Sequence, residues 1–174
     1  GRSSEGAATA ALHIASIMEK IPRSYMEVTA VSRVGKKEIV RTKMHLERGL
    51  GLKLEPVRPE AHIPRIGTDI GATQEHITEA KRLAKILMGT NYAVGKKPTG
   101  LATAALYASS ITLGLDMKQY EIGEKAPVCE ITIRSNYKNF IAEDPENPLT
   151  MDQLEDMNSN AIKKALATDE EESL

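Results

Sequence analysis

Residues 1–17, GRSSEGAATAALHIASI, recur 94 residues later as residues 95–111, GKKPTGLATAALYASSI, without an insertion. The two copies share the pentapeptide ATAAL and have matching glycine, serine and isoleucine residues on either side of it. The same offset places Glu27 on Glu121, Val34 on Val128 and Ile39 on Ile133. Alanine-rich helices often match by chance over a few turns. About a dozen identities over some fifty positions in one register indicate an internal duplication.

Each copy is predicted to form three helices. In the second copy, Pro98 suits a first helical turn, and a stripe of mostly small residues follows it, which favours a helix at the centre of a bundle. A short helix near 118–125 comes next, then a turn, then a longer helix over about 129–142. The equivalent helices of the first copy are predicted at about 4–19, 24–31 and 35–48.

Residues 51–61, between the copies, contain two prolines and no helical stripe, so they are predicted to be a linker. Two further helices are predicted before the second triplet, near 62–70 and 73–90. The sequence therefore predicts an all-α protein of two repeats. The first repeat (1–50) is truncated to three helices, the second (62–143) has five, and each ends in a helix-turn-helix.

The charges are unevenly distributed along the chain. Residues 1–143 carry 21 Lys and Arg against 15 Asp and Glu, whereas residues 144–174 carry 2 against 9. A basic body with an acidic tail is typical of proteins that contact nucleic acid. In the tail, Thr150 suits a helix cap and the final ATDEEESL is predicted to be disordered. A solvated extension and a helix that docks on the bundle are both compatible with this pattern.

Several classes of protein are disfavoured by the composition. Cys129 is the only cysteine, so no intrachain disulfide can form and an intracellular, reducing compartment is expected. No apolar run reaches the length of a membrane span. The four histidines are scattered, and GKKPTG lacks the residue order of a phosphate-binding loop. We therefore expect neither an enzyme nor a metal site, and we expect His13 to lie in or beside the core.

The last helix of the second copy has two different faces. Ile131 and Arg134 lie three residues apart at its front. Arginine can bond both acceptors of guanine, and an aliphatic side chain can contact a thymine methyl group. Thr132 and Lys138 suit phosphate groups. This pattern predicts a DNA-reading helix.

The opposite face of that helix is predicted to be core, and it consists of Ile133, Tyr137 and Phe140. The corresponding helix of the first copy, GKKEIVRTKMHLERG, has a basic front instead. That front suits phosphates or an acidic protein surface rather than bases, and it consists of Lys36, Lys37 and Arg41.

Residues 1–143 also resemble a known family, archaeal transcription factor B and its eukaryotic relative, general transcription factor IIB. The resemblance rests on GRSSEGAATAALHIAS, IPRSYMEVTAVSRVGKKEIVR, GKKPTGLATAALYASS and VCEITIRSNYKNFI. It implies cyclin-like repeats that bind the TATA-binding protein on promoter DNA and help to recruit RNA polymerase. It also implies that Ile131 and Arg134 read the B recognition element. The cluster of Lys36, Lys37 and Arg41 would face the acidic TATA-binding protein or the DNA backbone.

The resemblance implies an archaeal, nucleoid-associated protein, or a nuclear one if the source is eukaryotic. No cofactor is implied for these residues, because the family's zinc ribbon precedes the part that is matched here. Cys129 stands where the family commonly has a threonine, and Lys43 where an aromatic residue is common. The resemblance does not extend to the tail. The alternative function is a cyclin-type interaction module that regulates a partner enzyme without touching DNA.

Overall fold

The computed structural model describes residues 3–126 and 128–143, and of residues 139–143 only the backbone. Within these residues the chain forms eight α-helices and one 3-10 turn (Asn91–Ala93), and no strand, which confirms the all-α prediction. The predicted tail helix and ATDEEESL lie outside the described residues. The helices are α1 (Ser4–Met18), α2 (Tyr25–Val31), α3 (Lys36–Leu50), α4 (Pro59–Asp69), α5 (Gln74–Met88), α6 (Pro98–Thr112), α7 (Gln119–Lys125) and α8 (Glu130–Glu143).

The helix bounds repeat at the offset found in the sequence. Helices α6, α7 and α8 each begin 94 residues after α1, α2 and α3, respectively. Close approaches repeat as well. A methyl group on Gly6 would lie 2.5 Å from the Glu38 carboxylate on α3, and one on Gly100 would lie 3.2 Å from Thr132 on α8. The glycines of both copies therefore allow each central helix to contact the front of the helix that ends its repeat.

Two predicted helix bounds were wrong, and one short element was not predicted. Helix α4 begins at Pro59, within the predicted linker, because proline at a first helical position loses no hydrogen bond. Helix α3 continues to Leu50, two residues beyond the predicted end, and stops where Gly51 adopts the left-handed conformation at φ +63°. The 3-10 turn at Asn91–Ala93 was not predicted.

The main core surrounds α6. Helices α4, α5 and α8 pack against α6, and every residue from position 100 to position 110 is buried. Its alanines, serines and single glycine allow this close packing. The equivalent face of α1 is open: Leu12 is 73% exposed, whereas Leu106, its counterpart on α6, is 0% exposed. Within the described residues, no helix covers α1 in the way that α4 and α5 cover α6.

Helices α1–α3 and helices α4–α8 form two groups, and the helix pairs with extensive contacts each lie within one group. An ion pair joins the groups, because the Arg65 guanidinium on α4 lies 2.7 Å from the Glu27 carboxylate on α2. Both side chains are largely buried. Glu27 also accepts a hydrogen bond from the backbone N–H of Ser24 at 2.8 Å, so one carboxylate caps α2 and holds the groups together.

Candidate nucleic-acid interface

Helix α8 exposes one face and buries the other. Ile131 is 78% exposed, and Arg134 is exposed three residues later. On the other face Ile133 and Tyr137 are buried, and the Tyr137 ring contacts the Tyr107 ring edge to face with their centroids 4.9 Å apart. The predicted core face is thus confirmed for these two residues, whereas the side chain of Phe140 lies outside the described part. Ile131 and Arg134 are therefore both accessible to a ligand.

Arg134 has an intramolecular partner that the sequence analysis missed. Its guanidinium donates to the Glu130 carboxylate at 3.1 Å, one helical turn away. Both side chains are about half exposed, so this pair is worth less than about 1 kcal/mol. Glu130 also lies in the first turn of α8, where a negative charge is favourable. A ligand of Arg134 must therefore displace Glu130 or share the arginine with it, at a small cost.

Thr132 is less accessible than we expected of a residue that binds a phosphate group. It is half-buried, and its hydroxyl oxygen is 3.1 Å from the Cys129 sulfur. This hydrogen bond, together with backbone N–H groups at the start of α8, lowers the pKa of the exposed Cys129 thiol below its ordinary value. The Thr132 methyl group faces Gly100 on α6. Lys138, the other predicted phosphate ligand, is exposed one turn beyond Arg134.

A hydrogen bond from the 3-10 turn also holds helix α8 in place. The Tyr92 hydroxyl donates a hydrogen bond to the amide oxygen of Asn136 at 2.8 Å, and Asn136 is buried. The sequence analysis assigned neither residue a role, because a tyrosine in a loop and an asparagine in a helix show no pairing signal. The bond orients the face of α8 that carries Arg134.

The three basic residues at the front of α3 are all exposed on one helix: Lys36, Lys37 and Arg41. Lys37 and Arg41 are one turn apart and have no carboxylate partner within the described residues, as expected for side chains available to a ligand. The Lys36 ammonium lies 5.9 Å from the centre of the Tyr25 ring. Ile39, on the other side of α3, is fully buried.

A groove of about 550 Å³ runs between the two groups of helices. It is bordered by α1 and α2 on one side and by the first turns of α6 and α8 on the other. Two buried histidines line it. His13 donates from Nε2 to the Arg23 carbonyl at 3.1 Å, and its buried Nδ1 has no partner; burial lowers its pKa. Burial likewise lowers the pKa of His62 to about 4, so both rings are neutral at pH 7.

The described residues contain neither a cluster of metal ligands nor a helix suited to span a membrane. Among residues 3–126 and 128–143 no three His, Cys, Asp or Glu side chains are grouped as metal ligands would be. No described helix is long and apolar enough to cross a membrane.

A family model for the transcription factor TFIIB repeat matches residues 1–48 and 52–143. This chain belongs to the TFIIB repeat family. Transcription initiation factor IIB 2 of Thermococcus kodakarensis is 41% identical over 141 residues, which cover 81% of this chain and 46% of that protein. Transcription initiation factor IIB of Archaeoglobus fulgidus is 43% identical over 140 residues, 80% of this chain and 43% of that protein. Transcription initiation factor IIB 7 of Halobacterium salinarum is 40% identical over 141 residues, covering 81% and 44%.

The chain thus spans less than half the length of these TFIIB relatives. The TFIIB repeat match includes the exposed front of α3 and the whole of α8. The family agrees with the resemblance found in the sequence and with the cyclin-like, all-α architecture. The acidic segment 144–174 lies outside the TFIIB repeat match.

Proposed function

We propose that this chain is the promoter-binding core of a general transcription initiation factor. It binds the complex of the TATA-binding protein with promoter DNA, reads the B recognition element and helps to recruit and orient RNA polymerase. The observation that carries the proposal is the exposed pair Ile131 and Arg134 at the front of α8, backed by a buried face, in a chain of the TFIIB repeat family. The relatives named above are all transcription initiation factors, which supports the same function.

In this proposal α8 enters the major groove by its first turns. Arg134 leaves Glu130 and donates two hydrogen bonds to guanine O6 and N7, while Ile131 packs on a thymine methyl group. Lys138 binds a backbone phosphate, and the Thr132 hydroxyl turns from Cys129 towards another. Base contacts then supply the specificity, and the phosphate contacts fix the register.

The front of α3 has a different role in this proposal. Lys36, Lys37 and Arg41 contact an acidic surface of the TATA-binding protein or the nearby DNA backbone. Residues 1–50 and 62–143 act as two repeats that hold this partner and the DNA together. A net charge of +6 on residues 1–143 is modest, so we expect little binding to DNA without the TATA-binding protein and strong weakening by salt. The protein is then a non-enzymatic adaptor that works on chromosomal DNA, in the archaeal nucleoid.

A gel shift on a promoter fragment tests the proposal. The fragment carries a B recognition element and a TATA box, and the chain is added with and without TATA-binding protein. We expect a supershift that requires the TATA-binding protein and that Arg134→Ala weakens. The matched control is Arg48→Ala, which removes an exposed arginine from the far end of α3. If the unaltered chain gives no supershift, the proposal fails and an interaction module without DNA contact is favoured.

A further inference from the structure

The groove between the two groups of helices has a mostly apolar lining, but the charged side chains in that lining are all basic. Four cationic side chains line it, and no carboxylate does. Arg23 and Lys43 are partly neutralised by glutamates outside the lining, at 3.8 Å and 3.0 Å respectively. The other two cations, Lys36 and Lys97, have no carboxylate partner within the described residues. The groove therefore has an excess of positive charge that the described part of the chain does not compensate.

Two further features of the groove favour an anionic occupant. Helix α6 begins here with Pro98 after Lys97, and no side chain caps its first turn, so the positive end of the helix faces the groove. Thr99 and Ser24 add hydroxyl groups to the lining. Carboxylates can accept hydrogen bonds from each of these donors.

We propose that the acidic run at residues 169–172, DEEE, binds in this groove of its own chain. The segment 144–174 has a formal charge of −7, and this run holds four of its nine acidic residues. The groove contains the start of α8, whereas the segment leaves from the end of α8, about 20 Å away along a helix of this length. Residues 144–168 lie between the end of α8 and the run. The maximum reach of 25 residues, about 80 Å, far exceeds this distance.

Tethering makes this contact effective even if each ion pair is weak. Because the run belongs to the same chain, its binding is intramolecular, and tethering of this kind can give an effective concentration in the millimolar range. The docked run neutralises Lys36 and Lys97 and covers Cys129, which also lines the groove. It therefore competes with any acidic partner that binds Lys36, and such a partner must displace it. The proposal stands on charge and geometry and does not depend on the proposed function.

Carbodiimide crosslinking of the full chain, read by mass spectrometry, tests where the run lies. The reaction joins carboxylates to lysines that touch them. Mixing isotopically light and heavy chains separates links within one chain from links between two copies. We expect links from residues 169–172 to Lys36, Lys43 or Lys97 within one chain, and few to Lys85, which is exposed on α5. Equal linking to Lys85 overturns the proposal, and so do links that join light to heavy chains, since the occupant is then a second copy.

Alkylation of Cys129 by iodoacetamide supplies an independent readout. If the run is docked about nine-tenths of the time, neutralising it speeds the reaction about tenfold. The test variant changes Asp169 to Asn and Glu170, Glu171 and Glu172 to Gln. The matched control removes four other charges of the segment, with Asn at 144, 152 and 156 and Gln at 155, and should react like the unaltered chain. Equal rates for test and control variants contradict the proposal.

Discussion

Leu106→Ala and Leu12→Ala are the same substitution at equivalent positions of the repeat, and we expect them to have very different effects. Leu106 is fully buried on α6, whereas Leu12 is 73% exposed on α1. Replacing a buried leucine by alanine costs about 2.7–5 kcal/mol, depending on how far the site can collapse. Around Leu106 collapse is limited, because most neighbouring positions of α6 hold small residues already in close contact. We therefore expect a loss of about 4 kcal/mol for Leu106→Ala and under about 0.5 kcal/mol for Leu12→Ala.

Hydrogen exchange measures the effect in each variant against an internal reference. The amides of the altered helix report the loss, and those of its counterpart in the other repeat serve as the reference. For Leu106→Ala the two helices are α6 and α1. A loss of about 4 kcal/mol accelerates exchange of the α6 amides about 1000-fold. Urea unfolding followed by circular dichroism should show the same ranking. Equal costs for the two substitutions would refute the reasoning, since they would mean that the Leu12 face is covered in solution. Repeating the measurement at a lower concentration would then show whether a second copy covers it.

Three further predictions concern single groups of the interface and the groove. Glu130→Gln should free Arg134 and tighten promoter binding two- to fivefold, which is within the 1 kcal/mol range of an exposed ion pair. A binding titration measures this, and an unchanged affinity would show that the ion pair does not compete with DNA for Arg134. Because the pKa of His62 is lowered to about 4, the unfolded chain binds an extra proton below pH 6.5; stability should fall by up to about 3 kcal/mol between pH 6.5 and 4. Denaturation at several pH values in this range should show a smaller loss of stability for the His62→Gln variant than for His45→Gln, which alters an exposed histidine as a control. Equal losses in the two variants would contradict this prediction. Thr132→Val should raise the pKa of Cys129 and slow its alkylation at neutral pH, and a pH profile that does not move would exclude the hydrogen bond as the cause.

The repeat made most of the fold predictable. A duplicated sequence predicts duplicated helices, and α6–α8 start at the same offset from α1–α3 as the residues themselves. The alternation along α8 also identified Ile133 and Tyr137 as core and Ile131 as exposed, because side chains three or four residues apart share a face. These predictions depended on patterns in the sequence itself, which can be recognised without knowing which segments pack together.

Features that depend on two distant segments could not be predicted. The hydrogen bond from Tyr92 to Asn136 joins a loop to a helix 44 residues away, and nothing in either segment indicates the other. The groove likewise arises only when α1 and α2 face the starts of α6 and α8. The pairing of Glu130 with Arg134 was local and could have been found, since opposite charges four residues apart on a helix are neighbours.

The central claim is that Arg134 reads a base, and a double-mutant cycle between protein and DNA tests it most directly. We would measure how tightly the unaltered chain and the Arg134→Ala variant bind the complex of promoter DNA with TATA-binding protein. The promoter carries either the intact element or an element in which one guanine at a time is replaced by adenine. We predict that one guanine shows a coupling energy of about 1–3 kcal/mol with Arg134, so that its replacement no longer matters once the arginine is gone. If the effects of Arg134→Ala and of every guanine replacement simply add, Arg134 does not contact a base and the account of α8 as a reading helix is wrong.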